Sequence, residues 1–316
     1  MRELGFMLKT FRGDAQYVER LVASFHRYNR DSLSLYIVSP KADLKFFSKH
    51  SSATVTNYSD EDIPVSYATQ ALLETTTESE ISSPIAHPNV GYINQQIAKL
   101  AFFKMGLVEN YVAIDSDTEF IRPFGRSDFL TEQGEPFLFA QEYPDLVADP
   151  FYQPRYWIPR QGFLTAVRKL IGCTDPRQLT AHNSQVMSSA ILRDFEESFM
   201  KPRHLNYVDL LKICAMEFVW YGVWAQHQAK VQLVQRGDAI RMVNHQGEHL
   251  ALHSLGITKA SLSKGYIGVT VNSNWSRQYG LVDFDSPPVD DYLTQGDWAT
   301  WLREHNPQSP LLVARD

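Results

Sequence analysis

In the segment YVAIDSDTEFIRP, residues 111–123, a short apolar run ends in two aspartates separated by one residue. In an extended chain, residues i and i+2 face the same way, so Asp115 and Asp117 would turn their carboxylates to one side. Paired oxygen ligands suit Mg²⁺ or Mn²⁺, which keep several waters and take phosphate oxygens as further ligands. The pair closes a buried-type strand, the place where open α/β sheets bind ligands. A divalent ion there would neutralise a nucleotide's diphosphate and ease its departure as a leaving group. The plainer alternative is that both aspartates cap a turn.

Other groups can join such a centre. Glu217 lies in CAMEFVWYGVWA, which reads as helix, with Ile213, Cys214, Trp220 and Tyr221 one turn away on either side. A carboxylate on so apolar a face is desolvated and its pKa raised, which suits a general base taking a proton from an acceptor hydroxyl. The alternative is an ion pair with Lys212 or a C-terminal lysine or arginine, and Asp209 is a competing acid. Lys99 can meet a phosphate as a point charge, or stand solvated without a partner. His182, beside Asn183, can touch an acceptor or simply turn the chain. His245, His249 and His253 cluster in NHQGEHLALHS, where LAL reads as strand and puts His249 and His253 on one side. Residues 256–279 carry Lys259, Lys264 and Arg277 among Ser, Gly and Asn and read as a loop able to close over a diphosphate. Trp275 within it offers a face to a sugar ring.

These residues need a scaffold. LGFMLKTF reads as a strand ending at Gly13-Asp14, with Asp14 a candidate N-cap. AQYVERLVASFHRY follows at helical spacing, and Leu33–Val38 is a second strand stopped by Ser39-Pro40. Strand, crossover helix and strand make a βαβ unit and so a parallel sheet. Ala53–Tyr58 is a third strand, and residues 59–90, rich in Ser, Thr, Glu and Pro, read as a loop or lid. GYINQQIAKLAFFKMG is a helix with Ile93, Ile97, Leu100 and Lys104 on one stripe. Gln95 and Lys99 lie one turn apart on its flank, and Gly106 is its stop. Further strands are expected at Phe137–Ala140, Val231–Val234 and Arg241–Asn244. Helices are expected at Arg160–Ile171, Ser189–Phe199, Asp290–Arg303 and, as one long element, Tyr207–Gln228.

Composition narrows the class. With 316 residues, the length matches about two domains at ~150 each, or one large α/β domain. An apolar fraction of 44% with 21% charged residues excludes bulk disorder. Net charge is −6, from 30 basic and 36 acidic residues, which argues against a nucleic-acid partner. Two cysteines, Cys173 and Cys214, make no disulfide framework and fit a reducing compartment. The start MRELGFMLKTFRGD lacks the apolar core of a signal peptide. The most apolar long stretch, Leu205–Trp224, carries Asp209, Lys212 and Glu217, too polar for a membrane span. The expectation is a cytoplasmic protein with room for peripheral contact at the inner membrane. No P-loop, dinucleotide-binding or serine-hydrolase motif occurs.

Taken in order, a strand–helix–strand opening, a Q-x-x-K helix and YVAIDSDTEF resemble the nucleotide-sugar domain of GT-A glycosyltransferases. GYINQQIAKLAFFK followed by YVAIDSDTEFIRPF resembles a group of bacterial glycosyltransferase-like proteins found among capsule and lipopolysaccharide genes. The resemblance covers about Leu4–Phe124 and returns at Glu217–Gly222. It implies an α/β fold of GT-A, Rossmann-like type, with a mixed, mainly parallel sheet flanked by helices. It implies a metal-dependent, hexosyltransferase-like enzyme of polysaccharide biosynthesis, moving sugar from a nucleoside-diphosphate-sugar donor to a hydroxyl of a glycan or glycolipid acceptor. By its pattern Asp115 and Asp117 match the D-x-D motif that holds Mn²⁺ or Mg²⁺ and the diphosphate. Gln96 and Lys99 match helix positions facing the donor, and Thr10 and Arg12 would lie near the base or ribose. Glu217, with Tyr221 and Gly222, matches an acidic residue before an aromatic-Tyr-Gly stretch. Glu217 would be the base of an inverting reaction; a retaining one would not need it. GT-A enzymes often recruit a late histidine to the metal, and His253 is the choice here. Residues 1–140 would bind donor and metal, and residues 141–316 the acceptor, packed into one domain. The rivals are a metal-dependent nucleotidyltransferase or phosphodiesterase, which would want further carboxylates near the ion, and a non-catalytic carbohydrate-binding protein.

Overall fold

The computed structural model describes residues 2–74, 90–143, 147, 149, 153, 157–174, 184–228 and 233–287. The expectations for His182 and for a helix at Asp290–Arg303 lie outside them.

The chain opens as expected, with β1 (Arg2–Lys9), α1 (Ala15–Tyr28), β2 (Ser34–Ser39) and β3 (Val55–Ser59). Next come α2 (Val90–Ala101), β4 (Val108–Ile114), β5 (Thr118–Phe120) and β6 (Phe137–Phe139). The second half adds α3 (Ile158–Ile171), β7 (Gln185–Ser188), α4 (Ser189–Phe195), α5 (Tyr207–Ile213) and α6 (Glu217–Gln228). It continues with β8 (Val234–Arg236), β9 (Ile240–Val243), α7 (Gln246–Ser254) and β10 (Gly268–Val271).

The architecture is mixed α/β with a mainly parallel central sheet. Its five strands run in the order β3-β2-β1-β4-β7. All neighbours pair parallel except β7, which lies antiparallel to β4. A second sheet, β5-β10-β9, and a two-stranded parallel pair, β6-β8, complete it.

Both faces of the central sheet are covered, so its strands are apolar on both sides. Leu4, Phe6 and Leu8 of β1, with Leu35, Ile37, Val112 and Ile114, point to the face packed by α1. Met7, Tyr36, Val38, Tyr111 and Ala113 point to the other face, packed by residues of α2 to α6. On the α1 face Phe6 meets Phe25, Phe120, Phe124 and Phe129 edge-on, with ring centroids 5.2–5.7 Å apart. This is the favoured aromatic geometry, and it fastens the β5 region to β1.

Several elements depart from the sequence reading for identifiable reasons. Tyr207–Gln228 is two helices, not one. Cys214 turns extended, and the Trp220 indole donates to the Cys214 carbonyl at 2.8 Å, taking up a group that a continuous helix would have used. His249 and His253 lie on α7, not on a strand. That helix is capped at its start, where His245 Nδ1 accepts the Glu248 N–H at 3.2 Å while Glu248 accepts the Asn244 N–H at 2.6 Å. Residues 256–279 are not a loop: β10 is the middle strand of the second sheet. The proposed lid at residues 59–90 holds a 3₁₀ turn at Asp60–Asp62 and a short helix at Gln70–Glu74, with 75–89 outside the described residues. The Gly91–Gly106 helix tightens to 3₁₀ at Phe102–Met105, and Gly106 ends it at φ +65°, a left-handed turn that suits glycine.

Replacing Phe6 by alanine removes the ring on which four others rest. We expect a loss of about 3–5 kcal/mol in denaturant unfolding. A loss under about 1 kcal/mol would contradict this packing account.

Candidate functional site

The strand order places a crevice. From β1 the chain crosses to β2 on one side, while β4 lies on the other, so the connections diverge between β1 and β4. Ligands of open α/β sheets sit beyond the carboxyl ends of the strands at such a point. There Leu8 is paired with Ile114, and the chain runs on into Lys9-Thr10 on one strand and Asp115-Ser116-Asp117 on the other.

The aspartates do not sit in an extended run. The Thr118 N–H donates to the Asp115 carbonyl at 3.1 Å, so residues 115–118 form a turn. The two carboxylates still stand close enough for the Asp115 charge to raise the pKa of Asp117. Asp117 is buried, at 5% exposure. Its Oδ2 accepts the backbone N–H of Ser273 at 2.7 Å, while its Oδ1 is buried without a hydrogen-bond partner. Burial first, then the Asp115 charge, pushes its carboxyl up to about 6, against the pull of the Ser273 N–H.

Asp115 is held from below. Its Oδ1 accepts from Lys99 Nζ at 2.8 Å and from Gln95 Nε2 at 2.8 Å. Both donors come from one face of α2, a turn apart. Lys99 is buried, at 2% exposure, and donates also to Glu217 Oε1 at 2.8 Å. The Phe218 ring centroid lies 5.0 Å from its Nζ. Burial alone would lower the lysine's pKa, but its two carboxylate partners outweigh that and raise it. It is a fixed ammonium.

These positions revise several sequence expectations. Lys99 is neither solvated nor free to meet a phosphate alone. The environment expected for Glu217, apolar neighbours on a continuing helix, is instead the first residue of α6 with a buried ammonium as counter-ion. That counter-ion is Lys99 and not Lys212, and the C-terminal arginines beyond residue 287 lie outside the described residues. Of the adjacent glutamines, Gln95 reaches Asp115, whereas Gln96 is buried and donates to the Tyr92 carbonyl at 3.3 Å. The i, i+4 spacing of Gln95 and Lys99 is the signal that identifies the former.

Asp14 does not cap α1; its carboxylate accepts from Ser116 Oγ at 2.9 Å and from Arg277 at 2.6 Å. Nothing in the spacing of these three residues marks that link, since they are remote along the chain. Thr10 is buried at the end of β1, its N–H on the Val38 carbonyl at 2.9 Å and its Oγ1 without a partner. Arg12 is exposed and faces Asp43, with its backbone N–H on that carboxylate at 2.9 Å. Asp209 closes a capping box with Asn206 at the start of α5. Lys259 is tied to Glu119 and Asp283. Trp275 donates to the Val243 carbonyl at 3.1 Å.

A Mg²⁺ or Mn²⁺ ion fits the two-aspartate part of the expected set. The partnerless Oδ1 of Asp117 beside the Asp115 carboxylate is a hard-oxygen donor set, and such ions commonly take one or two carboxylates and fill the rest with water and phosphate. The third ligand is not brought in. Among the described residues no group of three His, Cys, Asp or Glu side chains is placed to hold a metal ion, so His253, on α7, does not join Asp115 and Asp117.

No family model and no curated protein matches the chain. Among the solved structures similar in fold are three glycosyltransferases. Mouse xyloside xylosyltransferase 1, in its apo form, superposes with a TM-score of 0.44 at 10% identity, over 86% of this chain and 98% of that one. The glycosyltransferase GlyE of Streptococcus pneumoniae TIGR4 gives 0.45 and 11%, over 98% of this chain and 64% of that one. The bifunctional glycosyltransferase WbbM, in its apo form, gives 0.43 and 11%, over 84% of this chain and 45% of that one. Similarity this loose leaves function to the chain's own residues.

The Asp117 carboxyl yields a stability prediction for the metal-free protein. Its pKa is raised on folding, so its contribution is full below the unfolded value of 3.8 and is lost as pH rises through about 6. In EDTA at pH 8, Asp117→Asn should therefore unfold at higher denaturant than the parent, by on the order of 2 kcal/mol. The advantage should fade toward pH 4. An Asp117→Asn variant no more stable than the parent at pH 8 would contradict the burial described.

Proposed function

We propose that the chain is a glycosyltransferase that uses a nucleoside-diphosphate-sugar donor with a divalent metal ion. The observation that carries the proposal is the buried, partnerless Oδ1 of Asp117 beside a clamped Asp115, at the divergence of β1 and β4. The sequence resemblance to GT-A enzymes supplies the donor class, and a glycan or glycolipid hydroxyl as acceptor.

When bound by Asp115 and Asp117, Mg²⁺ or Mn²⁺ would supply positive charge to the diphosphate leaving group. The protein's own residues do the rest. Lys99 and Gln95 fix the rotamer of Asp115, so its carboxylate is organised before the donor arrives. The Ser273 N–H fixes Asp117 through its Oδ2. Thr10 Oγ1, buried and partnerless at the end of β1, offers a hydrogen bond to the donor's base or ribose, and Arg12 stands two residues further on. Glu217 is buried and its Oε1 is already held by Lys99, so the geometry favours it less as a base than its sequence context did. No helix among the described residues is long and apolar enough to cross a membrane. We propose a cytoplasmic location, with peripheral contact to a glycolipid acceptor, on the sparse cysteines of the sequence.

The test is a melting screen of nucleoside diphosphates and their sugars, with and without Mn²⁺, followed by product analysis with the best donor. A ligand at a hundred times its Kd stabilises by about 2.7 kcal/mol, which raises the midpoint by several degrees. The shift should need Mn²⁺, and Asp117→Ala should abolish its metal-dependent part. A Mn²⁺-dependent shift retained in Asp117→Ala, or release of nucleoside monophosphate in place of a glycoside, would refute the proposal.

A further inference from the structure

Three charged side chains lie in a row through the protein interior: Asp115 after β4, Lys99 on α2 and Glu217 at the head of α6. Both carboxylates stand 2.8 Å from the same Nζ. The lysine and the glutamate are nearly shielded from water, at 3% and 6% side-chain exposure, while Asp115 reaches the crevice at 30%. The break at Cys214–Met216 is what starts α6 at Glu217. A carboxylate in the first turn also meets the positive end of the helix.

The charge balance of this row matters to the crevice. A buried ammonium paired with Asp115 alone would cancel that aspartate's charge. With Glu217 sharing the ammonium, the trio keeps one net negative charge, and Asp115 is the member that faces the crevice. A buried ion pair is also a poor device for stability alone, since apolar groups of similar volume often replace one at no loss.

We propose that Glu217 is a positioning residue for divalent-ion binding: it holds Lys99 in place and takes up half of its charge, which leaves Asp115 negative enough to bind a cation. This rests on the assignment of Asp115 and Asp117 as ion ligands. Glu217 touches neither ion nor substrate; it acts through Lys99. Its effect is electrostatic and should be undone by removing the charge it balances.

The experiment titrates Mn²⁺ alone into the full chain and follows loss of the free-ion electron paramagnetic resonance signal. Folding of each variant is checked by thermal melting. Glu217→Gln keeps the shape and a hydrogen-bond acceptor but leaves Lys99 to neutralise Asp115; Mn²⁺ should bind about tenfold more weakly. The double variant Lys99→Met with Glu217→Gln removes both charges and returns the full charge to Asp115, whose carboxylate Gln95 still holds, and should bind Mn²⁺ more tightly than Glu217→Gln. A role in packing alone would leave the double variant no better than the single one. Equal binding by Glu217→Gln and the parent would overturn the proposal, as would a double variant that binds no better than Glu217→Gln. Loss of folding in both variants would do the same, since the row would then be structural. If the parent itself binds no Mn²⁺, the ion-ligand assignment fails, and the proposal fails with it.

Discussion

A lysine ammonium enclosed between two carboxylates ties together parts of the chain that are remote in sequence. Lys99 and Glu217 are 118 positions apart, yet their contact joins α2 to α6 underneath the crevice. Burying such charges is costly unless each finds a partner. The lysine is the member the site cannot lose: without it Glu217 stands uncompensated in a low-dielectric interior. This constraint organises the floor of the crevice and turns the Asp115 carboxylate into a fixed feature, in contrast to a mobile surface acid.

Above that floor the strand order does the remaining work. The divergence of connections between β1 and β4 leaves the carboxyl ends of these strands open. The second sheet reaches over to the same place, since the Ser273 N–H that holds Asp117 follows directly on β10. Arg277, a few residues later, closes on Asp14, which in turn holds Ser116. The site is thus built from groups at the start, middle and end of the described chain.

Much of the central sheet is legible in the sequence because its signals are local. Short continuous apolar runs mark β1, β2 and β4, helical spacing marks α1 and α2, and Gly106 marks a stop. The D-S-D pair announces itself by following an apolar strand. What is not legible depends on distant partners. No proline or glycine marks the break before Glu217; the Trp220 indole claims the Cys214 carbonyl only once the fold is made. LAL among the histidines satisfies strand and helix alike, and the cap formed by His245 and Glu248 decides for helix. Lys99 looks like a surface lysine because its partners are remote in sequence, and Asp14 looks like a cap because Arg277 and Ser116 are remote too. Sequence spacing identified the acids but not the cation between them.

The central claim is that Asp115 and Asp117 jointly hold a divalent ion in the crevice between β1 and β4. Anomalous diffraction from crystals grown with Mn²⁺ and a nucleoside diphosphate tests it most directly. The account predicts one strong manganese peak within coordination distance of Asp117 Oδ1 and the Asp115 carboxylate, with Lys99 still bridging Asp115 and Glu217. A peak away from both aspartates, or Asp117 Oδ1 hydrogen-bonded to backbone with no metal beside it, would contradict the account.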